Sequence, residues 1–145
     1  MRDLPRQLTV AELAELFEGR TRFVERLAAA EDPLGQARGL ALELSDEEKK
    51  EILDAHPAIG AAPTSERSRR EQGTDDDPAV LEERARLNAE YERRFGFRFV
   101  VFVNRRPRRE IVPILRARLE RTRAEELTTG VDELVQIAID RWRTS

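Results

Sequence analysis

The sequence predicts an all-α fold: a single compact domain over residues 1–145, with about seven or eight helices and one buried extended segment. Apolar residues recur at helical spacing through most of the chain, and Ser, Thr or Asp precedes several of these stretches, as at helix N-termini. Only residues 97–103 are β-branched and aromatic like a strand, and no second stretch could pair with them. We therefore expect an extended segment buried between helices.

Four helices are predicted before residue 57. Capping boxes, in which Ser or Thr stands three residues before Glu, begin the first at Thr9 and the fourth at Ser45. Thr21 begins the second helix, which Asp32-Pro33 ends. The fourth should stop at His56, because the proline that follows disfavours the α conformation there. The third helix is weakened by two glycines and has its apolar residues at Leu34, Ala37, Leu40, Ala41 and Leu44.

A loop with one short helix near Ser65–Gln72 is expected next. Asp77-Pro78 then begins a long helix, because an acidic N-cap followed by proline is a strong start signal. Gly96 is placed to end this helix near Phe95. The extended segment follows directly.

Two more helices complete the predicted fold. After a basic turn at Arg105–Arg109, Pro113 either kinks the next helix or lies in its first turn. The last helix has the clearest period, and Gly130 interrupts its apolar stripe of Ala124, Leu127, Val131, Leu134, Val135, Ala138 and Trp142.

Composition excludes several classes of function. The chain has no cysteine and a single histidine, which argues against disulfides, thiolate or histidine-rich metal sites and cysteine nucleophiles. The net charge of −3 differs from the basic balance typical of nucleic-acid binders. The longest apolar run, Phe99–Val103, is far too short to span a membrane, and no signal peptide is recognisable. We therefore expect a soluble cytoplasmic protein without a metal, a nucleic-acid partner or membrane contact.

Three polar features could carry chemistry, and each also has a structural interpretation. His56–Gly60 places a histidine at a helix end, where a protonated imidazole can simply cap the helix. Ser68–Gly73 contains Ser, Glu and Gln, and its Ser-x-x-Glu pattern is also a capping box. Arg141 lies beside the apolar stripe and could be a surface arginine.

Taken in order, these features resemble a known family. The sequence contains H-P-x-[ILV]-G at residues 56–60, S-x-x-E-Q-G at 68–73 and L-N-x-x-Y-x-x-R-F-G-F-x-F at 87–99. This set is similar to the motifs of the OHCU decarboxylase family, named after 2-oxo-4-hydroxy-4-carboxy-5-ureidoimidazoline, an intermediate between urate and allantoin. The resemblance continues to Arg141 and covers most of the chain.

The resemblance implies an all-helical enzyme, usually a homodimer, that releases CO₂ without a cofactor and yields S-allantoin. It implies that His56 is the acid/base and that Glu71 orients it. It also implies contacts with the ureidoimidazoline substrate, in part through the backbone of the extended segment, from Pro57, Ser68, Gln72, Phe97, Phe99, Val100, Val101 and Arg141.

Some features leave alternatives open. The interval from His56 to Ser68 is shorter than is usual in the family, and Arg98 stands where the family commonly has proline. A divergent member acting on a related heterocycle and a non-catalytic binding module are therefore alternatives. The cluster Arg105–Arg109 is the best support for a third alternative, a helical nucleic-acid binder, although acidic residues outnumber basic ones.

Overall fold

The computed structural model describes residues 3–57 and 77–144. Within these ranges the chain is helical and has no strand, so the predicted all-α class is confirmed. None of the helices described there is long and apolar enough to cross a membrane. The short helix predicted near Ser65–Gln72 lies outside the described residues. The helices are α1 (Val10–Phe17), α2 (Arg22–Ala28), α3 (Pro33–Leu42), α4 (Asp46–Ala55), α5 (Pro78–Phe95), α6 (Arg108–Leu119) and α7 (Arg123–Thr144).

Side-chain caps begin the first four helices. The hydroxyls of Thr9, Thr21 and Ser45 each accept a hydrogen bond from the backbone N–H three residues later, as predicted. Asp32 does the same for α3, with Oδ1 3.3 Å from the N atom of Gly35. The expectation that Asp32-Pro33 ends α2 was wrong: α2 ends at Ala28, and this pair begins α3, because an Asp cap followed by Pro is itself a start signal.

The ends of α4 and α5 agree with the prediction. His56 is the C-cap of α4 and has extended backbone angles, φ −77° and ψ 140°. Gly96 ends α5 in the left-handed conformation, with φ 80°.

The segment 97–103 is largely buried and, as predicted, belongs neither to a helix nor to a sheet. Its backbone is bound by side chains instead of a neighbouring strand. Arg118 Nη1 donates to the carbonyl of Val100 at 2.7 Å, and the Phe102 N–H donates to Glu133 Oε1 at 3.4 Å. Arg106 donates to the carbonyls of Phe102 and Val103 at 2.5 and 2.9 Å. Side-chain bonds thus replace a strand ladder.

The basic turn is shorter than expected. Asn104 and Arg105 are left-handed, with φ of 50° and 60°, and α6 already begins at Arg108. The prediction of a turn through Arg109 was therefore wrong, because the two left-handed residues reverse the chain early. Pro113 lies inside α6, beyond its first turn.

Helix α7 runs without a break through Gly130 and packs against α1, α3 and α4. Gly130 is buried, and a Cβ atom there would lie 3.0 Å from Leu53 Cδ2 of α4. Gly130 is therefore not an interruption of the apolar stripe. It is a point of close approach between α4 and α7, and this approach lies three residues before His56 at the end of α4.

Candidate active site

His56 lies at the end of α4, partly accessible as a residue but with a buried Nδ1. Nδ1 has no hydrogen-bond partner among the described residues. Its pKa is lowered from 6.5 to about 4, chiefly by burial and then by the positive charge of Arg141; Glu18 raises it, and Arg98 lowers it further. The imidazole is therefore neutral at neutral pH. This disagrees with the structural interpretation, in which a protonated His56 caps the helix dipole.

Arg141 is only 2% exposed, so the interpretation as a surface arginine was wrong. Its Nη1 atom donates to the carbonyl of Leu16 at 3.0 Å and lies 3.1 Å from Glu18 Oε1. Glu18 follows α1 in the left-handed conformation, with φ 62°. The end of α1 thus supplies a carboxylate, the end of α4 an imidazole and the last turns of α7 a guanidinium. The two charged groups both act on the pKa of the imidazole.

The extended segment adds the third charge close to His56. The Arg98 N–H donates to Asp54 Oδ1 at 3.0 Å, which fastens this segment to the last turn of α4. Lys50 Nζ binds the other carboxylate oxygen of Asp54 at 2.6 Å. His56 therefore lies beside the segment to which the sequence assigned substrate contacts.

Four predicted contact residues are buried in that segment: Phe97, Phe99, Val100 and Val101. The Arg118 guanidinium lies 4.6 Å from the ring centroid of Phe99. Arg118 also occupies the carbonyl of Val100, so this carbonyl is already hydrogen-bonded within the protein. Among the remaining backbone groups, the structure gives no hydrogen-bond partner within the described residues for the N–H of Phe99 or Val101.

A buried polar network supports the segment from behind. Glu126 is fully buried, and its Oε1 accepts hydrogen bonds of 2.7 Å from the Tyr91 hydroxyl and of 2.7 Å from Arg118 Nε. Arg121 Nη1 lies 3.1 Å from the other carboxylate oxygen of Glu126. Burial and the bond to Glu126 raise the pKa of Tyr91, which keeps its hydroxyl protonated as the donor. The network fixes Arg118 and, through it, the position of Val100.

Of the four other predicted site residues, only Pro57 is among the described residues. Pro57 is partly accessible directly after His56. Ser68, Glu71 and Gln72 lie outside the described residues. No role was predicted from the sequence for Glu18 or Arg98. Only Arg98 is recognisable there as unusual, because it is a charged residue between two aromatic residues of an otherwise apolar segment.

A separate surface groove has a volume of about 470 Å³ and is lined by none of the predicted site residues, although one lining residue, Phe102, belongs to the extended segment. The groove is lined by Phe102, Gln136, Ile139, Asp140, Arg143 and Thr144.

The described residues contain no group of three or more His, Cys, Asp or Glu side chains that could hold a metal ion.

Comparison with known proteins gives consistent results. The profile of the OHCU decarboxylase family matches residues 2–143. The uric acid degradation bifunctional protein PucL of Bacillus subtilis (strain 168) is 30% identical over 137 residues, which cover 87% of this chain and 28% of PucL. The chain thus spans under a third of that relative's length.

Two solved structures share the fold. A crystal structure of OHCU decarboxylase in the presence of (S)-allantoin has a TM-score of 0.74 and 24% identity, covering 90% of this chain and 94% of the other. A crystal structure of (S)-allantoin synthase has a TM-score of 0.69 and 21% identity, covering 93% of this chain and 48% of the other.

Proposed function

The chain belongs to the OHCU decarboxylase family, and we propose on this basis that it converts 2-oxo-4-hydroxy-4-carboxy-5-ureidoimidazoline to S-allantoin and CO₂ in urate degradation. The observation that carries the proposal is the environment of His56. A neutral imidazole, whose buried Nδ1 has no hydrogen-bond partner among residues 3–57 and 77–144, lies in the field of Arg141 and Arg98. Buried polar atoms normally have partners, so a free one in a charged site is suited to a substrate.

The charges around His56 suit an anionic substrate. A substrate carboxylate near the two arginines would offset the positive charge that lowers the pKa of His56. Substrate binding would therefore raise this pKa towards neutrality, where an imidazole can both accept and return a proton. Arg141 supplies a guanidinium that can face a carboxylate or carbonyl oxygen.

The proposed reaction needs little covalent chemistry from the protein. When the bond to the carboxylate breaks, its electron pair forms a C=C bond to the neighbouring ring carbon, and the electrons of the C=N bond move onto the ring nitrogen. This nitrogen takes up one proton from solvent. The hydroxyl on the same carbon becomes a carbonyl as it loses its proton, and the neighbouring ring carbon gains one. We assign this proton handling to His56, oriented by Glu71, and delivery to one face sets the S configuration. The protein otherwise positions the substrate and excludes water.

Substrate recognition is assigned to two groups of residues. Ser68 and Gln72 offer a hydroxyl and an amide suited to a ureido group. The segment from Phe97 to Val101, together with Pro57, would bind the flat ring. The donors proposed there are the backbone N–H groups of Phe99 and Val101, which have no hydrogen-bond partner among the described residues. Val100 would contribute its side chain and N–H, since Arg118 holds its carbonyl.

The homodimer and the cytoplasmic location expected from the sequence are also part of the proposal, and family resemblance supports the first. Light scattering coupled to gel filtration tests the homodimer, which is expected to have twice the 16.7 kDa of one chain. Fractionation of the producing cells tests the location.

The activity is tested by generating the labile substrate in place with urate oxidase and the upstream hydrolase. Circular dichroism should show optically active allantoin appearing faster than the spontaneous, racemic product. His56→Asn serves as the control, because it keeps the size and polarity of the residue. Equal rates with and without the protein, and no enantiomeric excess, would contradict the proposal and favour the binding-module alternative.

A further inference from the structure

Arg98 makes three hydrogen bonds to the end of α4. Its backbone N–H binds the Asp54 carboxylate. Its Nη1 atom donates to two backbone carbonyls, that of Asp54 at 2.9 Å and that of His56 at 2.6 Å. One residue of the extended segment thus holds both the side chain and the main chain of the last helical turn.

These contacts matter because helix C-termini leave their last carbonyls without intrahelical partners, and such ends fray. Arg98 binds two carbonyls of this kind with one charged group. Glu92 Oε1 lies 3.5 Å from Arg98 Nε and holds the guanidinium from its other side. The carbonyl of His56 is therefore bound by a charged side chain that is itself part of an ion pair.

We propose that Arg98 is a positioning residue, which holds the His56 imidazole at a fixed place relative to the substrate-contacting segment that begins at Phe97. The proposal rests on the proposed role of His56 as the acid/base. Arg98 lies between Phe97 and Phe99 in the chain, so the residue that fixes His56 is part of the segment assigned to the substrate. A shift of about 1 Å between the two would be expected to slow catalysis strongly.

The same arrangement has an electrostatic consequence. Groups facing or adjoining His56 are Glu18 after α1, Arg141 on α7, Arg98 in the extended segment, and Asp54 with Lys50 on α4. Removing the charge of Arg98 leaves Arg141 as the remaining cation that lowers the pKa of His56. The side chain of Arg98 therefore acts on His56 through both position and charge, and two substitutions separate these effects.

The experiment uses the untagged chain, in which His56 is the single histidine and gives the only imidazole signals in an NMR spectrum. Arg98→Met removes charge and hydrogen bonds, whereas Arg98→Lys keeps the charge but cannot reproduce the planar guanidinium. Arg38→Met is the matched control, because Arg38 also binds a carboxylate, Asp132, at 2.8 Å but does not contact the end of α4.

For Arg98→Met we expect kcat to fall about tenfold or more with KM within about threefold of the original protein. Its imidazole signals should broaden or double, and the pKa of His56 should rise, because one of the charges that lower it is removed. Arg98→Lys should keep the pKa and still lose kcat. Arg38→Met should change neither.

An Arg98→Met protein with unchanged kcat and one sharp set of imidazole signals would overturn the proposal. If Arg98→Met does not fold, Arg98→Lys decides, since a folded lysine variant with the original kcat also overturns it. If the unsubstituted protein has no decarboxylase activity, the proposed function fails on its own. The imidazole signals then still decide whether Arg98 holds His56.

Discussion

Gly130 of α7 faces Leu53 of α4 so closely that a Cβ atom on the glycine would lie 3.0 Å from Leu53 Cδ2. Leu53 is fully buried, and side chains in protein interiors are closely packed. The approach of the two helices thus depends on the absence of a side chain at this position. Because His56 is three residues after Leu53, the same contact contributes to the geometry of the candidate site.

Alanine substitutions at two helical glycines should therefore differ in their effect on stability. Gly39→Ala should raise the free energy of unfolding by about 0.5–1 kcal/mol, because Gly39 is exposed and a Cβ there meets no atom within 4 Å. Gly130→Ala should be at least about 1 kcal/mol less favourable than Gly39→Ala, because crowding against Leu53 opposes the same gain in helix propensity. Urea unfolding measures both, and equal effects would contradict the close approach.

His56→Asn should reduce decarboxylation about 10²–10⁴-fold, the usual contribution of general acid–base catalysis. The helix content at neutral pH should change little, since asparagine is tolerated at helix ends. Steady-state kinetics and far-UV circular dichroism measure the two effects.

Glu71→Gln tests whether Glu71 orients His56. Residues that act on one proton transfer have strongly non-additive effects. If the double variant showed the full product of the two single losses, Glu71 would not act through His56.

Stability should depend on pH through His56. Its pKa is about 4 in the folded chain and near 6.5 when exposed, so the unfolded chain binds the proton first as the pH falls. The stability that depends on the neutral imidazole is present above pH 6.5 and is lost towards pH 4. Between pH 7 and 4.5, the original protein should lose about 2 kcal/mol more than His56→Asn. Parallel losses in urea unfolding would show that the pKa is not lowered.

Arg141→Met should destabilise the fold by about 2–4 kcal/mol, because it leaves the carbonyl of Leu16 and the carboxylate of Glu18 without this buried cation. The variant should remain helical at room temperature but have a raised KM, because Arg141 is also proposed to bind substrate. Arg143→Met is the neighbouring control, and its exposed position predicts a change within about 0.5 kcal/mol. Unchanged stability and KM in Arg141→Met would contradict both roles.

Features with local causes were predictable from the sequence. Thr9, Thr21 and Ser45 begin helices through bonds to residues three positions away, and Gly96 ends one through its own backbone angles. The extended segment was predictable because no partner strand existed. In these cases the causal groups are adjacent in the chain.

Features with tertiary causes were not predictable in this way. The burial of Arg141 depends on a carbonyl in α1, and the contacts of Arg98 depend on where α4 ends in space. Gly130 looked like a defect in a helical stripe because its neighbour, Leu53, is on another helix. Glu18 has no local pattern that indicates its place beside an arginine and a histidine.

The bond from Arg141 to Leu16 joins groups 125 positions apart in the chain. During synthesis, α1 emerges from the ribosome long before the turn of α7 that carries Arg141. Until that turn is available, the carbonyl of Leu16 lacks its hydrogen bond from Arg141. Contacts of such long range form late and slow folding. The guanidinium that helps to lower the pKa of His56 is therefore added only after translation has passed Arg141.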